Sequence, residues 1–133
     1  MHVNDQWEKL SLSDWKQFVL NWLAEIRGEV DGSKEDEAVV AMNFTAHPKL
    51  QWQFILLAVS LAQSDKELGS IAAGPIEHLL GWYGEDFISL VEEQAGTDEK
   101  FARTLTGVWK YKMTDEVWSR LNVLQSKVAN PLS

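Results

Sequence analysis

The chain has 133 residues, 45% of them apolar and 24% charged, which is the make-up of one ordinary globular domain large enough to bury a core without covalent staples. It contains no cysteine, which excludes disulfides, thiolate chemistry and Cys-based zinc sites and suits a cytoplasmic protein. Twelve Lys and Arg against twenty Asp and Glu leave a net charge of −8, so this surface repels a phosphate polymer and no nucleic-acid partner is expected.

The N-terminal stretch MHVNDQWEKLSLSDW lacks a basic segment followed by an apolar run, so it does not read as a signal peptide. The longest apolar run, Phe54 to Val59, is far short of the ~20 residues that span a bilayer, and no membrane partner is expected. Asn43-Phe44-Thr45 spells a glycosylation sequon, read here as chance.

In chain order, the first predicted element is the clearest. Trp15, Phe18, Val19, Trp22, Leu23 and Ile26 recur at helical spacing, Ser11 and Asp14 form a capping box, and Gly28 is the stop. An acidic loop near residues 29–37 follows, expected to be flexible. Ser33 is then expected to cap a short helix with Ala38, Val39 and Met42 inward. His47-Pro48 marks a break, since the residue before proline avoids the α region, and Pro48 suits the first turn of the next helix. That helix, PKLQWQFILLAVSLAQ, is apolar nearly all round its later part, as a central buried helix is.

Ser64 or Asp65 opens a short helix to Ala73. Gly74 and Pro75 read as a corner that ends it and starts GPIEHLLG, whose Ile76, Leu79 and Leu80 share one face. Gly81 and Gly84 read as the corresponding corner before EDFISLVEEQAG, which ends at Gly96. Thr97 is expected to cap DEKFARTLTGVW, and Thr114 to cap DEVWSRLNVLQSKV, whose stripe is Val117, Trp118, Leu121, Leu124 and Val128. Residues 129–133 are expected to fray. No segment alternates as a strand does. The fold class is all-α: a compact irregular helical bundle, or a short HEAT-like array of helix pairs, of roughly seven to eight helices in a single domain spanning 1–133.

Seven tryptophans are many for such a chain. Trp15, Trp22, Trp109 and Trp118 are expected in the core, while Trp7, Trp52 and Trp82 are open to either role. An aromatic left exposed in a groove would be a binding anchor.

The tests for chemistry are mostly negative. Gly69 and Gly74 have the spacing of the two glycines of a phosphate loop. Pro75 and Ile76, however, stand where that loop needs Lys and Ser or Thr. No G-x-S-x-G elbow occurs. His2, His47 and His78 show no metal-ligand spacing, and DGSKEDE lacks the order of a calcium loop. No cofactor or metal is expected. Glu77 falls in a first helical turn, where the dipole favours a carboxylate, and Arg103 is its expected ion-pair partner. Glu77 and His78 are adjacent, about 100° apart on a helix, which does not by itself make an acid–base pair.

Charge is unevenly spread. Residues 67 to 99 contain acids and no Lys or Arg, whereas Lys100, Arg103, Lys110, Lys112, Arg120 and Lys127 turn the balance basic. Such polarity can be two solvated faces, or an acidic surface that steers a basic protein partner.

AAGPIEHLL, GEDFISLVEEQA, DEKFARTLTGVW and TDEVWSRL together resemble a family of small bacterial proteins of unknown function. Its pattern runs Gly-Pro-Leu-Glu-Asp-Leu-Leu, His-Gly, Ile-Glu-x-x-Ala, Asp-x-x-Phe-Arg and Gly-Val-Trp. The likeness covers residues 68 to 121, with a looser fit around Pro48 and Trp52. Gly74, Pro75, Glu77, Leu79, Leu80, Gly84, Arg103 and Trp109 occupy the pattern's positions. His78 stands where the family usually has Asp, Tyr83 where it often has His, and Ala102 where a second Arg is common. A catalytic or metal-binding Asp–His pair would therefore be lost here, which favours structure over catalysis. The resemblance implies a bacterial, cytoplasmic, all-helical protein and supplies no activity.

Two functional expectations follow. One is a non-enzymatic acidic protein that binds a protein partner, a basic one by its charge, as an immunity or antitoxin-like inhibitor does. The other is a small-molecule-binding protein or small enzyme with a pocket near Glu77, His78, Tyr83 and Arg103.

Overall fold

A computed structural model describes residues 4–132; His2 lies outside them. A 3-10 turn, Asp5–Lys9, precedes the helices α1 (Leu12–Ile26), α2 (Lys34–Thr45), α3 (Pro48–Leu61), α4 (Asp65–Ile71), α5 (Glu77–Thr97), α6 (Glu99–Leu105) and α7 (Asp115–Ser126). A single π-turn, Ala72–Ile76, joins α4 to α5 without a break. There are thus six uninterrupted helical stretches plus the 3-10 turn, slightly fewer than the seven to eight expected, and no strand among the described residues.

The missing break is the Gly74-Pro75 corner. Proline inside an α-helix lacks an N–H and its ring collides with the carbonyl four residues back. Widening one turn to π geometry accommodates Pro75 while the chain stays helical. Gly81 and Gly84 do not end a helix either; both lie within α5, which bends only at Tyr83 (φ −135°, ψ 26°). Their lack of a side chain serves close packing. A Cβ on Gly81 would sit 2.5 Å from the Tyr111 carbonyl oxygen, and one on Gly84 would sit 3.0 Å from a Val117 methyl.

Local signals set most other ends. The Ser11 side chain accepts from the Asp14 N–H while Asp14 accepts from the Ser11 N–H, a reciprocal box. Gly28, at φ +80°, closes α1 with the 6→1 and 5→2 hydrogen bonds of a Schellman motif. Thr114 caps α7 through the Val117 N–H. Two caps differ from expectation. Ser33 makes no side-chain cap; Glu25 of α1 reaches across and accepts from the N–H groups of Glu35 and Asp36 (2.8 and 2.9 Å). Asp98, not Thr97, caps α6, because α5 runs on through Gly96 to Thr97. Residues 34–37 of the expected acidic loop are already helical. The 129–132 segment is tied down, with Arg103 Nε donating to the Asn130 carbonyl and the Leu132 N–H to Thr106 Oγ1.

α3 lies at the centre and packs on α1, α4, α5 and α6, whereas a stack of helix pairs touches only its sequence neighbours. Trp15 and Trp22 are buried against Phe54 of α3, as the first stripe requires. Trp118 is half-buried against the core. Trp109 is the exception to the core expectation: the residue is 75% exposed.

Candidate functional site

The candidate residues sit in the π-turn (Gly74, Pro75), along the first half of α5 (Glu77, His78, Tyr83, Gly84), in α6 (Arg103) and in the 106–114 loop that crosses α5 (Trp109). The loop is pinned from α7, where the Gln125 amide donates to the carbonyls of Leu105 and Val108 (2.8 and 3.0 Å). It can lie flat on α5 only because Gly81 leaves room for the Tyr111 backbone.

Glu77 and Arg103 do not pair. Arg103 forks onto Asp65 at the start of α4, with Nη1–Oδ1 2.5 Å and Nη2–Oδ2 2.7 Å. That guanidinium holds the Asp65 carboxyl below the usual carboxylate range. Glu77 is half-buried and accepts from the Trp109 backbone N–H at 3.2 Å. Burial pushes its carboxyl above the ordinary value, and the Trp109 N–H opposes the shift. Sequence reasoning missed the true partner because a backbone donor leaves no mark in residue identity.

His78 faces the other way, toward α2. It is buried, edge-on to Phe44 (ring centroids 4.6 Å) and tilted against Trp82 (5.9 Å). Burial holds its imidazole below the ordinary histidine value, with the Asn43 backbone opposing, and Nε2 has no hydrogen-bond partner among the described residues. Lys112, whose φ is positive at 57°, places its Nζ over the Trp82 ring at 5.2 Å and near Tyr111. Phe44, Trp82 and Tyr111 are each roughly half exposed, so the cluster breaks the surface.

Glu77 and His78 therefore belong to different environments, and no nucleophile–base–orienter chain links them. Among the described residues no three His, Asp or Glu side chains converge as metal ligands. Gly74 and Pro75 form the π-turn, with Pro75 buried; Gly84 packs on α7; Tyr83, at the bend, turns toward α3.

There it borders an open trench of about 760 Å³ between α3 and α5. Tyr83, Asp86, Phe87 and Leu90 line it from α5, spaced i, i+3, i+4, i+7; Leu50, Trp52 and Leu56 line it from α3. Trp52 stacks obliquely on Phe87 (6.2 Å) and meets Phe101 edge-on (5.6 Å). The exposed carboxylates Glu85, Asp86 and Glu93 of α5 take no part in an ion pair among the described residues, unlike Glu92, which binds Arg120 of α7. The signal in the sequence was the run of acids without cations; the trench itself needed α3 and α5 side by side.

Fold and site together define a small, acidic, all-helical protein with an apolar trench between α3 and α5 and an aromatic surface cluster. The chain belongs to the family of unknown function DUF6869, whose model matches residues 27–129. The match reaches from the end of α1 to beyond α7, further than the resemblance read from residues 68 to 121. No curated protein and no solved structure matches the chain. Among the described residues no helix is long and apolar enough to cross a membrane.

Proposed function

We propose that this protein is a non-enzymatic, acidic helical domain that binds a protein partner carrying positive charge, in the manner of an immunity or antitoxin-like inhibitor of a basic protein. The observation that supports the reading most directly is the solvent face of α5. Asp86 and Glu93 flank the exposed Leu90 at helical spacing, Glu85 is exposed on the neighbouring α7 side, and none of the three has a cation partner among the described residues. Charge arranged in this way accelerates encounter with a cationic surface, and adjacent apolar area then holds the complex.

Affinity capture from the native host, with the protein as bait at low and at high salt, tests it. A basic protein retained at about 50 mM salt and released near 500 mM, where screening lengths fall to a few ångströms, is the expected result. Neutralising the three carboxylates (Glu85→Gln, Asp86→Asn, Glu93→Gln) should abolish retention. Equal capture by the neutralised variant, or capture of nothing basic, overturns the reading.

A further inference from the structure

We propose that the trench between α3 and α5 seats a cationic amphipathic helix of the protein partner. Its apolar face would pack over Trp52 and Phe87, and its basic flank would run along Asp86 and Glu93. The inference rests on the reading above and deepens it.

Three features of the trench argue for this occupant. Its base is apolar: Phe87 is buried and Trp52 half-buried, while Leu90 on the α5 wall is 41% exposed. Side chains of this kind left open at helical spacing form the groove into which an amphipathic helix lays its own stripe. Its length fits too. Along the trench, from Tyr83 to Leu90, α5 rises about 10 Å, close to two turns of an incoming helix. Asp86, Leu90 and Glu93 follow i, i+4, i+7, so carboxylates alternate with the apolar anchor along one edge. The opposite wall carries Lys49, so the charge is one-sided and sets which flank of the incoming helix is basic. A second copy of this chain is disfavoured, since its own acidic α5 would be brought against another acidic α5 in a molecule of net charge −8.

The experiment titrates the full chain with a roughly 18-residue Leu/Lys peptide, long enough to form a helix, with leucines at i, i+3, i+4 and i+7. A peptide of the same composition in scrambled order is the control. The readouts are the Trp52 indole resonance and the amides of residues 83–93 in two-dimensional NMR. The ordered peptide should move both sets at low salt and bind at least roughly tenfold tighter than the scrambled one. Leu90→Glu, at a site open enough to leave the fold intact, and Asp86→Lys should each weaken binding by roughly tenfold or more.

Equal binding of the two peptides, with shifts at the α5 carboxylates and a silent Trp52, overturns the trench inference and leaves the basic-partner reading standing. Failure of both peptides to bind at low salt overturns both. A Trp52 resonance that moves with protein concentration alone identifies a second copy as the occupant and overturns the inference.

Discussion

Arg27 Nη1 donates to Oε1 of Glu67 at 2.8 Å, and the Glu67 side chain has no exposed surface. The other oxygen, Oε2, accepts from the Ser64 hydroxyl (2.6 Å) and the Gln63 N–H (3.2 Å). One carboxylate thus joins the end of α1 to the start of α4. A buried charge is tolerable when both oxygens are satisfied, and removing it orphans every donor around it. Glu67→Ala should cost about 3 kcal/mol, lowering Tm by roughly 10 °C for a chain of this size. Arg27→Ala should also destabilise, since it leaves the fully buried Glu67 carboxylate without its cation. Thermal melts by circular dichroism measure both, and an unchanged Tm for Glu67→Ala refutes this account.

Glu77 should behave in the opposite sense. Burial raises its folded-state pKa above the unfolded value. The penalty is therefore full above the folded value and disappears as pH falls below the ordinary carboxylate range. Glutamine keeps an acceptor for the Trp109 N–H and carries no charge. Glu77→Gln should leave Tm at pH 7 equal or higher, with the gain over wild type vanishing at acid pH. A loss of several degrees at pH 7 would mean that Glu77 has a cationic partner after all.

His78 supplies the complementary slope. Its folded-state pKa lies below the ordinary histidine value. Stability is thus unaffected above that value and lost progressively as pH falls through the ordinary value toward the folded one. His78→Phe, which preserves the ring packing against Phe44 and Trp82, should remove this part of the acid sensitivity. Urea unfolding of both proteins at pH 7 and pH 5 measures the slope, and parallel curves would contradict it.

The glycines should sort by what surrounds them. Gly81→Ala drives a Cβ against the Tyr111 carbonyl oxygen and must displace the 106–114 loop, at a cost of roughly 2 kcal/mol. Gly69→Ala meets nothing within 4 Å on a helix and should stabilise by about 0.5–1 kcal/mol. Chemical denaturation of the two variants gives opposite signs if the close approach is what selects glycine.

Arg103 holds the chain end as well as Asp65. Arg103→Lys cannot reproduce a planar fork plus a third hydrogen bond to Asn130. The Leu132 amide, which donates to Thr106 Oγ1 at 2.9 Å, should then exchange its hydrogen markedly faster, while amides of α3 keep their protection. Unchanged exchange at Leu132 would show that Thr106 anchors the segment alone.

The sequence by itself determined what is local. Apolar spacing placed α1, α3 and α7, and a few caps (Ser11 with Asp14, Gly28, Pro48, Thr114) set several of their ends, because helical periodicity and terminal hydrogen bonds act within a turn or two of the residues that encode them. The acid-only stretch from Glu67 to Glu99 was equally legible, since charge is additive along a chain. Tertiary structure decided the rest. Gly74-Pro75 continued as a π-turn instead of breaking, in a segment packed against both α2 and α3. Arg103 chose Asp65 over Glu77, Glu67 was buried, and Trp109, expected in the core, turned outward. The trench exists only where α5 passes beside α3. Each of these is a contact between residues far apart in sequence, and a pairing across such separations depends on which faces the whole bundle brings together, not on the identity of either residue alone.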